Sequence, residues 1–102
     1  SGQKGKKTMA RKILAEMQEK PKETFETSSK DIIIGLLSLG HRPYRVEIDG
    51  RIIFYKFDKS LVSIDVNKML TGEDIMIPYH KSIAANNIWL MNLSRANEIN
   101  IG

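Results

Sequence analysis

His41 and His80 are the side chains of this 102-residue chain best suited to acid–base or metal chemistry near neutral pH. Neither has another donor three or four residues away, the spacing at which a helix presents two ligands to one ion. Glu73-Asp74 would need further carboxylates in register to hold a cation and reads instead as a solvated loop. The chain has no cysteine, which removes thiol nucleophiles, disulfides and cysteine-ligated metals. No serine or threonine has a histidine base beside it in sequence. There is no glycine-rich phosphate loop, since Gly35, Gly40, Gly50 and Gly72 each answer to a local structural need. The expectation is a protein without catalytic residues, metal or cofactor, and without an evident small-molecule substrate.

Binding chemistry is better represented. His41, Arg42, Arg45, Arg51 and Lys56 flank or lie on one stretch, Tyr44–Phe57, with Phe54 among them. Cations beside an exposed aromatic suit a phosphate backbone and a stacked base. The same stretch offers Ile52 and Phe54 as an apolar pair, the composition of a protein contact or of self-association. Trp89 is the third protein-binding candidate. Its helical neighbours Ala85 and Ile88 place it at a core edge, and exposure would make it an interface anchor.

The element that must position these residues is a β-hairpin. Asp49-Gly50 between two apolar-rich runs is a strong two-residue turn signal. That turn pairs Val46 with Ile53 and Arg45 with Phe54. Alternation then gives a core face of Tyr44, Val46, Ile53, Tyr55 and Phe57, and an outer face of Arg45, Glu47, Ile52, Phe54 and Lys56. A lone hairpin is marginal in water, so helices must cover the core face. Residues 9–20 are good helix formers, with Ile13, Leu14 and Met17 on one side and Pro21 as the stop. Thr24–Thr27 is extended or turn-like. Thr27 or Ser28 caps a buried helix running to about Leu39, with Gly40 just beyond its end. Gly35 inside that helix implies a close helix–sheet contact. Residues 60–70 alternate as a strand would at Val62, Ile64 and Val66, but the pattern continued to Gly72 favours helix. Glu73–Ile77 is a short extended piece, either a third strand or mere packing. A last helix runs from Tyr79 to about Ala96, with Ile83, Ala84, Ile88, Leu90, Met91 and Leu93 covering the hairpin. Asn86-Asn87 in mid-helix suggests a side-chain hydrogen bond to the hairpin or to a partner.

Composition is that of one ordinary globular domain, 41% apolar and 27% charged. No apolar run approaches the roughly 20 residues that cross a bilayer, and no signal-peptide pattern is present, which fits a cytoplasmic protein. Residues 1–8 read as a disordered basic tail or a vector remnant. Without Lys4, Lys6 and Lys7 the net charge falls from +4 to +1, and the overall basicity ceases to argue for nucleic acid.

Thr27-Ser28, Leu36-Leu37-Ser38-Leu39-Gly40, Gly50-Arg51 followed by Tyr55-Lys56-Phe57, then Gly72 and the helix from Pro78 to Leu90 resemble the pattern of a small family of uncharacterised domains from bacteria, archaea and their viruses. The likeness spans residues 25–95. Ser29 and His41 depart from it, standing where the family has aspartate and an aromatic. The resemblance implies an α-β-β-α arrangement and no reaction. The expected fold is α+β, helix–β-hairpin–helix–helix over residues 24–97, with a loosely attached N-terminal helix at 9–20. The expected function is a small non-enzymatic protein-interaction module encoded by a virus or mobile element. The alternative is a nucleic-acid-binding accessory protein using the basic hairpin face.

Overall fold

The computed structural model describes residues 11–101; the expected tail of residues 1–8 lies outside them. The chain folds as β1 (Lys12–Glu16), β2 (Thr24–Thr27), α1 (Lys30–Ser38), β3 (Arg45–Asp49), β4 (Ile52–Asp58), α2 (Lys59–Thr71) and α3 (Tyr79–Ile101). The strands form one antiparallel sheet in the order β1-β3-β4-β2. This corrects the helix–hairpin–helix–helix expectation: the α-β-β-α run of residues 30–71 is only the middle of the fold. The hairpin is marginal alone, and it gains neighbours in its own plane as well as a helical cover.

Of the segment expected as a helix at 9–20, residues 12–16 form the edge strand β1 and residues 17–20 are irregular, while residues 9 and 10 lie outside the described residues. Its residues have good helix propensity, but a helix of that length is marginal in water, and the open edge of β3 supplies backbone partners along one side of the strand. A bulge between Ile13 and Ala15 carries the register. It leaves Leu14 buried and Ile13 exposed. The connection 17–23 then crosses the ends of β3 and β4 to reach the opposite edge. It is held there by the Tyr44 carbonyl, which accepts from Met17 N–H at 2.9 Å, and by Glu23, whose carbonyl accepts from Lys59 N–H. Tyr44 is buried but stands apart from the main core, and its hydroxyl shares a 2.8 Å hydrogen bond with Thr24 Oγ1.

The hairpin register differs from expectation by two residues. Asp49 pairs with Ile52, Ile48 with Ile53, Val46 with Tyr55 and Arg45 with Lys56, so the turn residues are Gly50 and Arg51. Gly50 has φ +63° and no other residue of the turn has positive φ. Glycine at the first central position is what a type II′ turn demands. The slip is even, so it moves partners without exchanging faces.

All three helices cover one face of the sheet. α2 packs over β2 and β4, α3 over β1 and β4, and α1 lies between them. The core joins Ile33, Leu36 and Leu37 of α1 to Leu14, Val46, Ile48, Ile53, Tyr55 and Phe57 of the sheet. Val62 and Val66 enter from α2, and Ala85 and Ala96 from α3. Ser29, not Thr27 or Ser28, caps α1 by accepting from Ile32 N–H, and Asp58 caps α2. Residues 60–70 are helical, and Glu73–Ile77 adds no strand.

Gly35 answers to a helix–helix contact, not a helix–sheet one. A Cβ there would lie 2.7 Å from Met69 Cε and 3.2 Å from its sulfur. Those atoms are the tip of a flexible side chain. Gly35→Ala is therefore expected within about 1 kcal/mol of wild type, the displaced thioether set against better helix propensity. Gly35→Leu cannot be cleared by one moving methyl and is expected to lose about 2 kcal/mol. Urea midpoints of the two variants check both.

Candidate functional site

The outer face of the sheet, which none of the three described helices covers, gathers half of the expected binding residues. Alternation along β3 and β4 puts Arg45, Glu47, Ile52, Phe54 and Lys56 there, and β1 and β2 add Ile13, Glu16 and Glu26. Glu47 is the centre. Its side chain is only 8% exposed. Its carboxylate accepts from Arg11 and Arg45 at 3.2 Å each and from Lys56 at 3.1 Å. Burial alone would push the Glu47 carboxyl up, but hydrogen bonds from Lys56, Arg45 and Arg11 more than reverse this and hold it below its ordinary value. Arg11 also grips Glu26 with two hydrogen bonds, at 2.8 and 2.9 Å, and holds that carboxyl low as well. Arg45 reaches Glu16 at 2.5 Å. Hydrogen bonds donated to Glu26 and Glu16, respectively, are the main reason that the Arg11 and Arg45 guanidinium groups titrate higher than usual.

The consequence is a charge-balanced lattice: Arg11, Arg45 and Lys56 against Glu16, Glu26 and Glu47. Phe54 is half-buried beneath it, with the Arg11 guanidinium 3.8 Å from the ring centroid. Ile52 stands 51% exposed at the rim. Arg51 is exposed in the turn. Arg42 is exposed and donates to the carbonyls of His41 and Leu37. His41 lies away from this face, with Nε2 2.7 Å from Asp65 Oδ2 of α2. A histidine oriented by a carboxylate is half of a general-base arrangement, but among the described residues no hydroxyl or thiol is hydrogen-bonded to His41. His80 is exposed. Among the described residues no group of three His, Asp or Glu side chains is placed to hold a metal ion, and no helix is long and apolar enough to cross a membrane.

Trp89 is half-buried against the core and the Lys30 ammonium lies 4.8 Å from its ring centroid. The hydrogen bond to the hairpin comes from Asn92, not from Asn86 or Asn87: buried Asn92 donates to Tyr55 hydroxyl. Burial holds that phenol above its ordinary pKa, and the Asn92 donor partly offsets the shift.

The larger apolar surface lies on the helical layer. Ile83, Ala84, Leu90 and Met91 of α3, expected to cover the hairpin, point to solvent instead. A helix resting on a layer can bury only one side, and here that side is Ala85, Asn92 and Ala96 with Ile88, Trp89 and Leu93 beside them. Leu61 and Ile64 of α2, with Met76 and Tyr79 farther on, are also well exposed. A groove of about 320 Å³ lies where the connection after α2 passes α1, lined by Ile32, Gly35, Met69, Leu70, Ile75 and Ile77 with Asp31 and Glu73 at its rim. The signal for the α3 surface is present in the sequence: residues 82–94 contain no charged side chain, in a chain that is 27% charged. No family model, curated protein or solved structure matches this chain.

Proposed function

We propose that this chain is a non-enzymatic protein-interaction module, and that it binds through the outer side of α3 rather than through the hairpin. The observation that supports it is the uncharged run 82–94, half of which faces water: Ile83 and Leu90 are exposed with Met91 at 57%. Depletion of charge around exposed apolar side chains marks the centre of an interface and is uncommon on a solvated helix face. The proposal keeps the kinship inferred from Leu36-Leu37-x-x-Gly40 and Tyr55-x-Phe57, to which no reaction is attached.

The nucleic-acid reading has no comparable support. Arg45 and Lys56 are already engaged by carboxylates, so an approaching phosphate must first displace Glu16, Glu26 or Glu47. Fluorescence anisotropy with single- and double-stranded oligonucleotides is expected to give no binding even at low salt. Salt-dependent binding abolished by Arg45→Ala and Lys56→Ala would restore that reading.

The interaction reading is tested with a photo-crosslinking amino acid at position 90, compared with position 51 in the hairpin turn, in cells that naturally make the protein. Discrete protein adducts are expected from position 90 and none from position 51. Adducts from position 51 alone, or from neither, would overturn it.

A further inference from the structure

We infer that residues 74–77 and the groove beside them form a second docking site, separate from the α3 surface, whose occupant is an extended segment of a partner protein with apolar residues alternating with lysine or arginine. Residues 74–77 have the features of a strand and none of a strand's partners. Residues 73–78 are neither helical, turned nor bent, and Pro78 keeps Ile77 in the extended region. Side chains alternate: Ile75 and Ile77 line the groove, whereas Asp74 is exposed and Met76 is 91% exposed. Among the described residues, none makes a hydrogen bond to the backbone of residues 74–77. Unpaired N–H and C=O groups along an extended run are what an incoming strand bonds to, while the pocket beside them receives its alternate side chains.

The groove and its rim define those side chains. Ile75 and Ile77 line it together with Ile32 of α1 and with Met69 and Leu70 of α2. The tip of Met69 lies against Gly35, and a thioether is well suited to shift around an incoming apolar group. Both charged side chains of the lining, Asp31 and Glu73, are acidic, and Asp74 follows directly. Among the described residues no cation pairs with these three carboxylates. On the outer sheet face, by contrast, Glu16, Glu26 and Glu47 are each matched by a cation. Asp31 complements the dipole of α1 from its first turn, which accounts for that acid alone. Glu73 lies just past the C-cap Gly72 of α2, the end at which a helix dipole disfavours an acid. An apolar groove edged by unpaired carboxylates is complementary to an apolar segment carrying cations, and it repels an acidic one.

The probe is a peptide of about eight residues alternating lysine and valine, with an N-terminal fluorescein and a C-terminal amide; its opposite alternates glutamate and valine. Fluorescence anisotropy with the whole chain at low ionic strength is expected to show the first binding and the second not, with affinity falling as salt is added. Neutralising the rim in the double variant Asp31→Asn, Glu73→Gln is expected to weaken binding about five- to tenfold. Glu19→Gln, at an exposed acid on the 17–23 connection, is expected to leave it unchanged. Leu70→Ser, at a groove residue 69% exposed, is expected to weaken binding with no change in the circular dichroism spectrum. Amide exchange followed by nuclear magnetic resonance is specific to strand addition: the peptide is expected to protect alternate amides within residues 74–77 and to leave those between them unchanged. No binding of the lysine–valine peptide, equal binding of both peptides, indifference to the rim and Leu70 variants, or binding that leaves those amides exchanging freely would overturn the site. Adducts from position 90 with no peptide bound would leave the α3 reading standing and remove this one, and the reverse pattern would do the opposite.

Discussion

Phe57→Ala is expected to remove about 3–5 kcal/mol of stability, the range for deleting a fully buried aromatic side chain. Phe57 has no exposed surface, lies opposite Phe25 of β2 and stacks on Tyr55 with ring centroids 6.2 Å apart. A domain of this size has only about 5–15 kcal/mol to lose, and each kcal/mol moves the melting temperature by roughly 4–8 °C. The variant should melt roughly 12–40 °C lower, or fail to fold. Ile52→Ala, on the opposite face of the same strand, should cost no more than about 0.5 kcal/mol. Phe57→Leu, which keeps most of the volume, should fall between them. Thermal melts of the three variants decide the matter, and equal losses at positions 52 and 57 would refute the face assignment of β4.

That face assignment was the most legible part of the molecule. Strand side chains alternate with a period of two, so Val46, Ile53, Tyr55 and Phe57 declare their common face whatever the register. The register was harder. Asp49-Gly50 and Gly50-Arg51 both offer glycine to a tight turn, by different turn types, and only the ladder from Asp49–Ile52 onward separates them. Residues 12–16 were illegible for a deeper reason. Lys12, Leu14, Ala15 and Glu16 are good helix formers, and what makes them a strand is the unpaired edge of β3, about thirty residues away. Local propensity cannot anticipate a partner that distant.

The same non-locality governs the candidate surfaces. Arg45, Phe54 and Lys56 do share a face, as alternation requires. Their meaning changes because Glu16 and Glu26 arrive on the two edge strands and turn a basic strip into a neutral lattice. On α3 the information is local. Apolar residues at 83, 84, 88, 90, 91 and 93 cover too wide an arc for one buried side, and the surplus had to face something other than the hairpin. The absence of charge from 82 to 94 is the observation on which the proposed interaction surface rests.

Glu47 is where the outer face stakes its stability, and Glu47→Gln is expected to cost about 2 kcal/mol at neutral pH. The carboxylate is nearly excluded from water, and removing its charge leaves Lys56, Arg45 and Arg11 to share Glu16 and Glu26. Breaking one partner of a fully buried pair costs roughly 3–5 kcal/mol. The three cations retain part of their solvation, at 20–33% exposure, which lowers the figure. The pH dependence identifies the group. Glu47 titrates below its ordinary value of 4.5 in the folded protein, so its contribution is complete above that value and disappears as pH falls through the lower folded one. Glutamine cannot titrate. The stability difference between wild type and Glu47→Gln should therefore be constant from pH 5 to 7 and shrink toward zero as the pH drops further below 4.5. The Arg11–Glu26 pair, a third exposed on both sides, should show the same sign at well under half the size in Glu26→Gln. Urea titrations of the three proteins at pH 7 and pH 3 measure both differences. A gap between wild type and Glu47→Gln that persists unchanged at pH 3 would place its origin in packing and not in the charge of Glu47.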